Sequence, residues 1–141
     1  MLHLVDTNIL VYRHDPRFPA KQARARDLLR RGLESGEARL SHQSIVEFVA
    51  ASTRSRPKEP PLLERSEALR EAEALIAQFP VLHPVEGLLR LALRGVATYS
   101  LSWFDSHMWA YAEHYALPLL YSEDFQHDGL YGTVRTQNPF V

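Results

Sequence analysis

The chain has 141 residues, 16 Lys and Arg against 17 Asp and Glu for a formal net charge of −1, and no cysteine. That length suits a single domain, residues 1–141, able to bury roughly two thirds of the surface its unfolded chain exposes and so to fold without covalent staples. The near-zero charge excludes a global positive field that would recruit nucleic acid, and the missing cysteines exclude disulfides and thiolate metal sites, so any metal must take oxygen or imidazole.

The first predicted element is a strand over residues 2–5, ending at Asp6, after which Thr7 and Asn8 start a helical run toward Tyr12. Asp6 therefore stands at the carboxyl edge of a strand, where it can serve a site or simply cap the helix, a role Asp, Thr and Asn all fill. Pro19 opens a second helix with an apolar stripe of Ala25, Leu28, Leu29 and Leu33, ending near Gly36. A strand over 37–40 follows, and Ser41 caps a helix whose apolar positions are Ile45, Phe48 and Val49 and which carries Glu47. The segment STRSRPKEPP, residues 52–61, is charged and proline-rich and reads as an exposed connection between helices. Leu69, Ala72, Ile76 and Phe79 form the next helical stripe, VLH at 81–83 the next strand, and Phe104, Met108, Ala112 and Tyr115 a further stripe. Ser102 and Asp105 have the spacing of a capping box at the start of that last helix. PLLY at 118–121 and TVRT at 133–136 complete the strands, with Ser122, Glu123 and Asp124 in the turn between. Short strands alternating with helices argue for an α/β fold, a three-layer α/β/α sandwich whose mainly parallel sheet of about five strands is covered on both faces. In such sheets, sites form beyond the carboxyl ends of the strands.

Four acids stand at strand ends or on helices beside apolar residues: Asp6, Glu47, Asp105 and Asp124. Each has an ordinary reading as a cap, a turn residue or a solvated helical acid. Together they form the oxygen-rich set that a hard divalent cation such as Mg²⁺ or Mn²⁺ requires. Thr7, Asn8 and Ser122 can orient carboxylates or water, or only shape turns, and Glu123 and Asp128 are further acids that compete for a place. Seven histidines show neither H-E-x-x-H nor any paired Cys/His spacing, which leaves zinc without support. Trp103, Trp109, Tyr111 and Tyr115 read as core or interface, and His107 and His114 as helix-surface positions. Arg54, Arg56 and Lys58 in the exposed connection are the local cations best placed to meet phosphates. No apolar run approaches the ~18–20 residues of a membrane span, and Met1 leads into LHLVDTNIL without the basic start of a signal peptide, so a cytoplasmic protein with no membrane partner is expected.

The ordered set VDTNIL, SIVEF, SWFDSHMWA and YSEDFQ, closed by GTVRTQNPF, resembles the PIN-domain ribonucleases, and most closely the toxin members of VapBC-type toxin–antitoxin pairs, over nearly the whole chain. The resemblance implies a metal-dependent endoribonuclease acting on RNA. Asp6 and Asp105 would be direct ligands of Mg²⁺ or Mn²⁺, and Glu47 and Asp124 would act through water or a second metal. It also implies a homodimer, with apolar helix faces near residues 28–49 as candidate contacts, and a cognate antitoxin whose tail blocks the acidic site. Two rivals remain open: a haloacid dehalogenase-like phosphatase, which wants a second Asp where Asn8 stands, and a receiver-like, catalytically silent module that binds Mg²⁺ only to dock a partner.

Overall fold

The three residues of the first strand, β1 (His3–Val5), are all buried, and alternation sends Leu4 to one side of the sheet and Val5 to the other. This computed structural model describes residues 1–141. In chain order β1 is followed by α1 (Thr7–Tyr12), α2 (Pro19–Ser35), β2 (Ala38–Ser41), α3 (His42–Ser52), α4 (Arg65–Gln78), β3 (Val81–Leu82), α5 (Glu86–Tyr99), α6 (Trp103–His114), β4 (Leu119–Tyr121), β5 (Gly129–Tyr131) and β6 (Val134–Gln137). The sheet runs β3-β2-β1-β4-β6-β5. Every pair is parallel except β5–β6.

Two hydrophobic clusters follow from that alternation. Leu4, Leu120 and Val134 face α5 and α6, packing with Leu88, Ala92, Met108 and Trp109. Val5, Ala38 and Leu40 face the other way, against Ile9 and Leu10 of α1, Leu28 and Leu29 of α2, Phe48 of α3 and Leu75 of α4. The result is the expected three-layer α/β/α sandwich.

The sheet has six strands where about five were expected. The extra one, β5, is a three-residue edge strand set between Asp128 and Gly132, both at positive φ, and too short to show a period in the sequence. Helix α5 had no expected counterpart: EGLLRLALRGVATY does carry a polar edge of Glu86, Arg90 and Arg94 beside a wide apolar face, but Gly87 and Gly95 interrupt it. In α4 the buried face is Ala68, Ala72 and Leu75, while Leu69 and Ile76 are exposed. The expected stripe keeps Ala72 and Phe79 but shifts by one residue at two positions, Ala68 and Leu75 being buried in place of Leu69 and Ile76 where α4 packs on α3. Leu33 and Phe104 likewise lie outside the core, the latter in the first turn of α6. Residues 54–61 are exposed throughout, as expected for the connection between α3 and α4.

The order of the strands positions the site. The chain builds β1, β2 and β3 outward in one direction, then returns to place β4 on the opposite side of β1. Such a reversal opens a crevice at the carboxyl ends of the two strands.

Candidate metal centre

Asp6 follows Val5 directly and sits in that crevice, only 5 % exposed. Its amide donates to the Tyr121 carbonyl at 3.0 Å, which ties the end of β1 to the end of β4. One carboxylate oxygen caps α1 by accepting from the Thr7 amide at 2.6 Å, and the other accepts from the Ser122 hydroxyl at 2.6 Å. The N-cap reading and the site reading of Asp6 are therefore both satisfied by one side chain. Ser122 is fully buried, and its Oγ also accepts from the Asp124 amide at 3.0 Å, shaping the turn after β4. Asn8 reaches across from α1 and donates to Asp124 at 3.0 Å.

Asp105 arrives from the other layer. Ser102 caps α6 by accepting from the Asp105 amide at 3.2 Å. The Asp105 carboxylate does not close the expected capping box, but offers an oxygen that lies, with oxygens of Asp6 and Asp124, inside a set whose members are all within 4.8 Å of one another. Glu47 stays outside this group of three. It projects from α3 and accepts from the Thr7 hydroxyl at 3.1 Å and from the Gln43 amide at 2.9 Å, so it is bonded to the residue next to Asp6. Glu123 turns away, held by Tyr12 at 2.7 Å and Lys21 at 2.9 Å, and Asp128 bonds Gln137 on the far hairpin.

The electrostatics match the crowding. Burial, above all, and then the neighbouring charges of Asp124 and Asp105 push the Asp6 carboxyl up to about 7, against the opposing hydrogen bonds from Ser122 and Thr7. Asp105 is also raised, first by desolvation and then by Asp124 and Glu47, while Ser102 opposes the shift. Three hard oxygen donors at this spacing, two of them costly to ionise without a counter-charge, suit a divalent cation with water completing its shell.

Two residues were missed at the sequence level. Gln43 steadies Glu47 and also donates to the Phe104 carbonyl at 3.2 Å, joining α3 to the start of α6. Its i, i+4 spacing from Glu47 on one helix was the available signal. Lys21, which neutralises Glu123 and lies 4.7 Å from the centre of the Tyr12 ring, left no local signal. Of the cations at 54–58, Arg56 is paired with Glu59 at 3.3 Å, an acid that Arg17 also holds. His107 is occupied by the Trp103 carbonyl at 2.8 Å.

A family model described as PIN domain matches residues 3–132. No curated protein gives a significant match. Among solved structures, a toxin–antitoxin complex from Klebsiella pneumoniae is similar at 17 % identity and a TM-score of 0.67, with 97 % of each chain covered. FitAcB from Neisseria gonorrhoeae is similar at 18 % identity and a TM-score of 0.68, with 99 % of each chain covered. VapC20 of Mycobacterium tuberculosis, a toxin that cleaves the sarcin–ricin loop, is similar at 18 % identity and a TM-score of 0.60, covering 94 % of this chain and 98 % of that one. At these identities the likeness is one of fold.

Proposed function

The chain belongs to the PIN-domain family, and from that premise we propose that it is a metal-dependent endoribonuclease acting as the toxin of a VapBC-like pair. The observation that carries the reading is the convergence of Asp6, Asp105 and Asp124 at the crevice between β1 and β4. Asp6 and Asp105 are proposed as direct ligands, with Asp124, whose oxygen lies as close, beside them and Glu47 acting through water or a second metal. When bound, Mg²⁺ or Mn²⁺ would polarise a phosphate oxygen and lower the pKa of a water able to attack phosphorus.

The remaining residues orient this chemistry. Ser122 and the Thr7 amide fix both oxygens of Asp6, Asn8 holds Asp124, and Thr7 with Gln43 aims Glu47. Burial of Asp6 keeps bulk water from screening the site, so each charge there acts more strongly than it would at the surface. Asn8 stands where a phosphatase of the haloacid dehalogenase kind wants its second Asp, and its amide is already spent on Asp124. An antitoxin and a second copy of the chain are proposed as partners. The neighbours named above as a toxin–antitoxin complex and an RNA-cleaving toxin support this reading through their fold.

The test is cleavage of RNA by purified protein with Mg²⁺ or Mn²⁺ and with EDTA. Wild type should cleave only with metal, and Asp6→Asn or Asp105→Asn should each lower the rate at least ~100-fold, since an amide at either position removes a charged ligand or ligand-orienting group. Full activity in either variant would reject the ligand assignment. A wild type that binds metal but cuts no RNA would favour the silent docking module.

A further inference from the structure

Beside the acidic crevice, between the first turns of α3 and α6, lies an open groove of about 320 Å³ that the metal site leaves unexplained. That volume falls within the ~300–1,000 Å³ typical of clefts for small organic groups. Its floor and rim carry Trp103 and Phe104, which are 44 % and 64 % exposed, whereas Trp109 and Tyr111 of the same helix are 4 % and 2 % exposed. Apolar aromatics held in water at the mouth of a polar site lose the burial that would normally reward them, so a ligand face is the natural partner for them.

The groove is continuous with the acids. Glu47 and Gln43 line it, Gln43 grips the Phe104 carbonyl at 3.2 Å, and Phe104 is followed directly by Asp105. A second group beside the aromatics can read a ligand edge. His107 lies against Trp103, ring centres 4.3 Å apart, and its Nδ1 sits 2.8 Å from the Trp103 carbonyl. A carbonyl only accepts, so Nδ1 carries a proton in this contact and Nε2 is left for a ligand.

Resting on the nuclease reading, we propose that this groove is a base-binding subsite, in which one unstacked base of a single-stranded RNA, next to the phosphate to be cut, stacks on Trp103 and Phe104. His107 and Gln43 face its edge and bias which base is accepted. The shelf binds an extruded base because every base presents a π-face, and a base paired within a duplex offers none to it. Trp103, Phe104 and His107 thus determine substrate choice, while the acids do the cutting.

The chain supplies its own reporter, since of its two tryptophans only Trp103 is exposed. Full-length protein in EDTA is titrated with a 2′-O-methyl oligoribonucleotide of randomised sequence, and separately with the same strand annealed to its complement. Single strand should quench tryptophan fluorescence and duplex should not. Trp103→Phe should keep binding, measured by anisotropy of an end-labelled strand, but lose most of the quenching, because only Trp109 remains. Trp103→Ala with Phe104→Ala should weaken binding at least ~5-fold, at the lower end of measured base–aromatic stacking. His107→Ala should change the base found beside the cut in a mixed pool cleaved with metal. Unaltered binding by the double alanine variant, or equal quenching by duplex, overturns the subsite. Unaltered RNA binding with loss of capture by an antitoxin would overturn it in favour of a protein-binding groove. Because binding is read without metal, failure of cleavage rejects the nuclease reading without touching the binding result, and the reverse also holds.

Discussion

Asp6 is an ionisable group buried where its charge is least welcome, and that makes it the residue whose titration should be visible in the stability of the molecule. Its carboxyl is raised from 3.8 to about 7. Between those values the folded state holds a proton that the unfolded chain has released, so without metal this term lowers stability as pH rises from about 4 to about 7 and is constant above. At ~1.4 kcal/mol per pKa unit the loss is on the order of 4 kcal/mol. Asp6→Asn should therefore melt above wild type in EDTA by a margin that widens from pH 5 to pH 8. The amide can still accept from the Thr7 N–H, and the Ser122 hydroxyl can rotate to accept from it. A variant that melts below wild type at both pH values would show that Asp6 is needed as a cap more than it is resented as a charge. Much of this site was legible in the sequence, because Asp6, Asp105 and Asp124 each stand at the end of an apolar run or the start of a helical stripe. The bond from Asn8 to Asp124 was not, since it joins residues 116 apart and exists only because β1 pairs with β4.

Helices read well where the apolar stripe is narrow and poorly where it is wide and broken by glycine. Helix α2 shows its stripe plainly. Helix α5 hides its packing face, which the structure places at Leu88, Ala92 and Gly95. The contact with α6 is close at Gly95, where an added Cβ would meet the Ser106 hydroxyl at 2.3 Å and the Trp109 ring at 2.8 Å. Neither neighbour is free to retreat, since Ser106 donates to the Ala92 carbonyl at 2.6 Å and the Trp109 indole donates to the Tyr131 carbonyl at 2.9 Å. Gly95→Ala should then cost stability by ~1–3 kcal/mol in spite of alanine's better helix propensity. Urea unfolding would register this as a lower midpoint at unchanged slope, whereas a raised midpoint would mean that the two helices separate easily. Since α6 carries Asp105 at its first turn, the same variant should also weaken metal binding, read as a smaller rise in melting temperature with Mn²⁺.

For the whole molecule, a ligand that binds only the folded chain adds stability in proportion to its occupancy. Mn²⁺ or Mg²⁺ at ~100 times its dissociation constant should add about 2.7 kcal/mol to wild type, and a melting curve indifferent to either ion would remove the metal centre. Assembly belongs to this scale too. Of the faces expected near residues 28–49, Leu28, Leu29 and Phe48 are buried and Leu33 and Val46 exposed, and Leu89, Leu93 and Val96 of α5 also lie exposed, at i, i+4 and i+7 on one side. If that stripe joins two copies, Leu93→Glu should convert a dimer to a monomer in sedimentation, and an unchanged sedimentation coefficient would clear α5 of the role. The pairing of β1 with β4 has one more consequence, which concerns time. Asp6 is made 118 residues before Asp124, the difference of their positions. At ~5–20 residues per second the ribosome needs roughly 6–24 s to cover that interval. During it the nascent chain carries the first carboxylate of the cluster without β4 beside β1 and without the third acid that completes the set. A chain halted anywhere before β4 cannot assemble the cluster, so whatever chemistry these acids perform is withheld from every copy that stops short of that strand.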